Sequence, residues 1–210
     1  MFAGKPIIGI AGGIGSGKTF VARLFAEAGC LVIHSDEQVA RAYERDDVKR
    51  TLVEWWGPDV LDNVGSVNRS AIARRVFADA AERKRLESLI HPLVAAMRDE
   101  AMRAGAGDPR ITAFVWDTPL LVEVGLHRQC DAIVFVEAPA AERKRRVVES
   151  RGWTEAEWVA REKSQMALDK KREIANYTIR NTAGADDEVR SQVREALSRI
   201  LATGRRNNVE

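Results

Sequence analysis

Apolar and polar positions switch between two periods along the chain. PIIGIA (6–11) is a short, wholly apolar run, as expected of a strand buried on both faces. After a glycine-rich turn, Val21, Leu24, Phe25 and Ala28 recur at helical spacing, and Gly29 ends that helix. CLVI (30–33) is a second apolar strand, running into Ser35, which is expected to open a capping box with Gln38. ITAFVW (111–116) and AIVFVEAP (132–139) read as two more buried strands, and NYTIRN (176–181) as a weaker one. A last helix is predicted from about Asp187 to Leu201, carrying Val189, Val193, Leu197, Ile200 and Leu201 inward. The tail GRRNNVE (204–210) is expected to fray. Strands alternating with helices at both ends of the chain predict an α/β fold, a parallel sheet covered by helices.

Two segments break the alternation. Residues 41 to about 105 read as all-helical, with a turn around GPDVLDNVGS. The pair His91-Pro92 interrupts that pattern, and the plain reading is that Pro92 starts a new helix beside a partly buried His91. Residues 152 to about 173 read as short, charged helices opened by a capping box from Thr154 to Glu157. Few large apolar residues are evident in this second segment, so a mobile flap is expected. Trp55 and Trp56 are read as core or interface residues rather than a base-stacking platform.

Composition narrows the class. A chain of 210 residues with 45% apolar and 30% charged side chains is expected to be one soluble domain with a real core. A net charge of +2 supplies no global field toward nucleic acid or membrane. No apolar run is long enough to span a bilayer, and MFAGKPIIGIAGG has none of the marks of a signal peptide. Cys30 and Cys130 lack metal-type spacing and read as reduced thiols, so a cytoplasmic location is expected.

Chemistry enters with GIAGGIGSGKTF (9–20). Gly12, Gly17, Lys18 and Thr19 fit G-x-x-x-x-G-K-[ST] between a predicted strand and a predicted helix. Glycines let successive N–H groups turn inward toward oxygen, and the helix N-terminus adds partial positive charge. Lys18 can reach the β- and γ-phosphates of ATP, and the Thr19 hydroxyl can ligate Mg²⁺.

Ligands of open α/β sheets bind beyond the carboxyl ends of the strands, which draws attention to two acids. Asp36 follows CLVI by three residues and is either a general base for an attacking hydroxyl or simply a helix N-terminal acid. Asp117 closes ITAFVW, where it either holds Mg²⁺ through water or caps the following turn. Glu123, six residues later, has only a structural reading. ERKRR (142–146) and the basic runs of the flap could supply cations when a site closes, although a solvated helix face is the ordinary use of such runs.

Together these segments resemble the dephospho-CoA kinase family over nearly the whole chain. The opening block GIAGGIGSGKTFVARLFAEAGCLVIHSDEQVAR, the helical stretches NRSAIARRVF and LESLIHPLV, the segment WDTPLLVEVGL and the closing AREKSQMALDKKREIANYTIRN carry the likeness. The resemblance implies a P-loop kinase: a three-layer α/β/α sandwich with a parallel five-stranded sheet, a helical substrate-binding insertion and a small helical lid. In that plan residues 1–210 form one domain, with its core at about 1–40, 110–150 and 174–204, the insertion at about 41–105 and the lid at about 152–173.

The implied reaction is ATP-dependent phosphorylation of the ribose 3′-hydroxyl of dephospho-CoA, with Mg²⁺. Asp36 falls in the slot of the general base, and Gly13, Ile14, Gly15, Ser16, Gly17, Lys18, Thr19 and Phe20 form the ATP-phosphate loop. Asn181 matches an asparagine near the adenine end. Arg69, His91 and Arg161 fall in acceptor and lid blocks. Arg146 falls on one family arginine, to act with Lys18 and Asp36 in the transfer, and Asp117 faces both substrate and metal. Dephospho-CoA is then the only partner implied, to a monomer or weak oligomer without nucleic acid or membrane.

The chain departs from the family in places. His34-Ser35-Asp36 stands for Asp-Ala-Asp, Phe20 for a small hydroxyl residue, and Asn176 for an aspartate; Ser150 occupies the slot of a second lid arginine. Two other readings remain open from the residues alone: another small-metabolite or nucleoside monophosphate kinase, and a nucleic-acid-binding ATPase.

Overall fold

A computed structural model describes residues 1–206, with side chains as far as Gly204; residues 207–210 of the expected frayed tail lie outside the described residues. The chain divides into two compact units, Met1–His34 together with the chain from Met102 onward, and Ser35–Ala101.

The first unit is built on five strands: β1 (Ile7–Gly12), β2 (Cys30–His34), β3 (Ala113–Asp117), β4 (Ala132–Glu137) and β5 (Tyr177–Arg180). They order as β2-β3-β1-β4-β5, and every neighbouring pair is parallel. Parallel strands need long crossovers, which the helices supply. The helices of this unit are α1 (Lys18–Glu27), α6 (Ala140–Arg151), α7 (Glu155–Lys163), α8 (Leu168–Ile174) and α9 (Asp186–Arg206). The intervening numbers belong to α2 (Ser35–Glu44), α3 (Asp46–Trp56), α4 (Arg69–Ala78) and α5 (Ala80–Ala106).

The two-residue period of the strands sorts their side chains onto two faces. Ile8, Ile10, Val115, Val134, Val136 and Ile179 face Val21, Leu24 and Phe25 of α1 and Val189, Val193, Leu197 and Ile200 of α9. Each large aliphatic or aromatic side chain fully buried in this layer stabilises the fold by about 1.5–3 kcal/mol. The opposite face is covered closely by the segment after β3. A Cβ on Gly9 would lie 2.5 Å from the Leu121 side chain and 2.9 Å from the Cys130 sulfur, so the glycine lets that layer pack close against the centre of the sheet. Helices and loops on both faces make the three layers that the sequence predicts.

The Asn176 departure costs the fold nothing visible. Its Oδ1 accepts from Ile133 N at 2.7 Å and its own N–H donates to Ile133 O at 2.9 Å, tying the start of β5 to β4. A carboxylate could accept the same bond. α9 runs past its predicted end at Leu201 and takes in the first residues of the expected tail; its last turn rests beside Met1.

The second unit is all-helical, as the pattern predicts. α2, α3, α4 and the part of α5 before Met102 close around Ala42, Val48, Leu52, Val60, Ile72, Leu86, Ile90 and Val94. Trp55 and Trp56 meet edge to face, with centroids 5.8 Å apart, against this core, and Trp56 Nε1 donates to Glu82 at 2.6 Å. Pro92 does not start a helix. It lies inside α5, and His91 is exposed rather than partly buried. Ile90 and Val94, both buried, bracket the pair, so core burial carries the helix across a proline whose ring faces solvent.

Candidate active site

The register of the sheet brings the carboxyl ends of all five strands to one edge. Gly12 pairs with Val136, His34 with Asp117, and Glu137 with Arg180. From β1 the chain turns through Gly12–Gly17 into α1. Gly15 (φ 77°) and Gly17 (φ 88°) adopt the left-handed conformation that side chains disfavour. Space forbids a side chain as well: a Cβ on Gly15 would lie 2.3 Å from the Arg143 carbonyl oxygen, and one on Gly17 would lie 2.1 Å from Asn181 Nδ2.

The loop is braced from behind by α6 and the end of β5. Asn181 is buried, and its Nδ2 donates to Ser16 O at 2.7 Å. Arg146 Nη1 donates to Ser16 O at 3.3 Å, while its Nη2 reaches Asn181 O at 3.1 Å and Glu142 at 3.0 Å. Arg143, 5% exposed, donates to Ala138 O and Ile14 O and forms an ion pair with Glu162 of α7. Burying a guanidinium is tolerable only because each face finds a partner. Ser16 Oγ is also buried, with no hydrogen-bond partner among the described residues.

Lys18 and Thr19 head α1. Lys18 Nζ donates to the carbonyls of Gly12 (3.2 Å) and Gly13 (3.0 Å). Desolvation, then repulsion from Lys171, pulls its pKa down to about 8, while Asp117 acts the other way. Thr19 Oγ1 donates to Asp117 Oδ2 at 3.2 Å, and His34 Nδ1 lies 3.1 Å from the same oxygen. Asp117 ends β3, and its side chain is only 11% exposed. Thr19 and Asp117 are hard oxygen donors at a strand edge, a set that fits Mg²⁺.

The segment from 152 to about 173 is better packed than its sequence suggests. The capping box of Thr154 and Glu157 is present. Trp158 of α7 is buried against Ile14 and Val147, with Trp153 and Val159 beside it, so the two tryptophans supply the apolar anchorage that the charged sequence hides. Arg161 lies 4.3 Å over the Trp153 ring and is exposed. Lys171 of α8, 1% exposed, is held by Glu123 at 2.7 Å and Gln165 at 3.1 Å. Glu123 therefore does have a structural role, as the partner of a buried lysine.

The first unit thus brings together Gly13–Phe20, Asp117, Arg146 and Asn181. Phe20 packs at the edge of the main core, with Arg23 over its ring. Asp36, Arg69 and His91 belong to the second unit. Asp36 is exposed in the first turn of α2, and Arg69 is exposed at the start of α4, over the Tyr43 ring at 5.7 Å. Arg143, Lys171 and His34 also lie in this region, and the sequence alone does not mark them as site residues. For Arg143 a signal existed: it shares one helical face with Arg146 and Val147.

The low pKa of Lys18 gives a pH dependence. Phosphate beside the ammonium favours its charged form, so the bound pKa must exceed the free value of about 8. Affinity for an ATP analogue is then expected to be flat below pH 8 and to weaken as pH rises through 8, by at most about tenfold per unit. Calorimetric titrations from pH 7 to 9.5 would show this slope, and Lys18→Arg, which stays charged, should abolish it.

A family model for dephospho-CoA kinase matches residues 6–187. The chain is 36% identical over 199 residues to a dephospho-CoA kinase of Corynebacterium glutamicum, covering 92% of this chain and 98% of that one. It is 38% identical over 177 residues to one from Mycolicibacterium paratuberculosis, covering 83% of this chain but only 42% of the relative; the chain spans less than half the length of that protein. Among solved structures, TT1252 from Thermus thermophilus is 33% identical with a TM-score of 0.79, covering 95% of this chain and 97% of that one.

Proposed function

The chain belongs to the dephospho-CoA kinase family, and from that premise we propose that it transfers the γ-phosphoryl group of ATP to the ribose 3′-hydroxyl of dephospho-CoA, giving coenzyme A and ADP. The observation that carries this reading is the reach of the family match. It takes in the phosphate loop, the helical residues 35–101 and the lid together, so the acceptor-binding parts support the choice as well as the nucleotide loop.

The proposed chemistry follows from the site. The loop amides and the start of α1 receive the triphosphate, and Lys18 moves from the Gly12 and Gly13 carbonyls to its β- and γ-oxygens. Thr19, and Asp117 through water, would hold Mg²⁺, which would supply positive charge beside the transferring group. Asp36 orients the acceptor hydroxyl and takes its proton. Arg69 and His91 serve the acceptor, and Arg161 comes from the lid. Arg146 and Asn181 act on the nucleotide through the loop they brace, beside any direct contact. No helix among the described residues is long and apolar enough to cross a membrane.

Product analysis tests the proposal. Incubation with ATP and dephospho-CoA should give coenzyme A and ADP in equal amounts by chromatography and mass spectrometry. Phosphorylation of nucleoside monophosphates, with dephospho-CoA untouched, would overturn it in favour of the neighbouring kinase class.

A further inference from the structure

Among the described residues Lys171 is the most deeply buried charged residue. Its Nζ pairs with Glu123 Oε1 at 2.7 Å and donates to Gln165 Oε1 at 3.1 Å. The same Glu123 oxygen accepts from Met166 N at 3.2 Å. One carboxylate of the segment after β3 thus holds both the approach to α8 and the helix itself.

The phosphate loop lies directly against this clamp. Leu168 precedes Lys171 by one turn on the same face of α8. A Cβ on Gly13 would lie 3.2 Å from Leu168 Cδ2, so Leu168 covers the loop at that residue. The Gly13 carbonyl is in turn one of the two that hold Lys18. Lys171 is itself close enough to act on Lys18: its repulsion is second only to desolvation in lowering the pKa of that ammonium. An ion pair is a poor way merely to fasten a helix. Taking two charges out of water costs about what their attraction returns, and well-packed apolar side chains often hold as well or better. What the charged pair adds over apolar packing is a bond of defined length and direction.

We infer that Lys171 is a positioning residue for phosphoryl transfer: paired with Glu123, it clamps Leu168 against Gly13 and so keeps the loop in the shape that receives the triphosphate. The inference rests on the reading of this loop as an ATP-phosphate site. The alternative is an ion pair that fastens α8 and leaves the loop as it is.

The variant carrying Lys171→Met with Glu123→Gln separates the two. It removes the ion pair and spares the bond from Met166, because an amide oxygen still accepts it. Its thermal midpoint is expected to stay at or above that of the parent chain. The calorimetric Kd of a non-hydrolysable ATP analogue should rise about tenfold. Leu168→Ala, which leaves the ion pair alone, should raise it by a similar factor, and all three substitutions together should do no more than either change alone. With dephospho-CoA as acceptor, kcat/KM for ATP should fall about tenfold or more, while the KM for dephospho-CoA stays within about twofold. The binding measurements need no acceptor, so their failure is distinct from a failure to phosphorylate dephospho-CoA. Parent-like affinity in a variant that melts like the parent overturns the inference. If that variant melts early, Leu168→Ala decides, and parent-like affinity there overturns it. Additive effects of the two changes overturn it as well. A parent chain that binds no ATP analogue overturns the site reading, and the inference falls with it.

Discussion

Lys18→Ala is expected to lower kcat by about 10³-fold or more, with a thermal midpoint no lower than that of the parent chain. The two halves of this prediction have one physical cause. The Lys18 ammonium is desolvated, and burial draws its pKa down to about 8 from 10.5. Folding gains little from a charge held in that way, and the two carbonyls it serves, those of Gly12 and Gly13, border the loop where water can reach. Removing the side chain therefore spares the fold. Catalysis has no such reserve. Arg146 is engaged by Glu142, Asn181 and Ser16, Arg143 by Glu162, and Lys171 by Glu123. None of these cations is free to replace a point charge on the γ-phosphate. Single-turnover kinetics with saturating ATP, beside a thermal melt, checks both halves. Near-normal turnover would remove Lys18 from the transfer step.

The legibility of this molecule follows from how local each feature is. The phosphate loop is a run of adjacent residues whose backbone needs are written in glycine, so Gly15 and Gly17 could be read without a structure. The strands were legible for a similar reason: a short apolar run between turn residues has few other uses. Features that depend on register or on distant partners were not. The pairing of His34 with Asp117 arises only once β2 lies beside β3, and Lys171 meets Glu123 across 48 positions of chain. Arg143 was hidden by its setting. ERKRR looks like a solvated face, and only the spacing to Val147 hints that one of its arginines turns inward. Trp158 was hidden among charges in the same way, and the expected loose flap proves to be anchored on Ile14. Pro92 misled because a local rule met a stronger tertiary one, the burial of Ile90 and Val94 on either side of it.

Asp36→Asn is expected to lower kcat by about 10²- to 10⁴-fold, while ATP affinity stays within about twofold. The substitution keeps the shape of the side chain and removes only its charge and its ability to take a proton. Asp36 lies in the first turn of α2, two residues beyond His34 at the end of β2. The same position admits a purely structural use, and the two make opposite predictions. An acid that only steadies the helix would cost about 0.3–1 kcal/mol of stability on neutralisation and leave kcat alone. A general base would cost turnover at saturating acceptor, with a change in stability no larger than that. Melting curves, nucleotide titration and kcat measured on the one variant distinguish them. Full turnover in Asp36→Asn would leave the reaction without its proton acceptor and end the assignment.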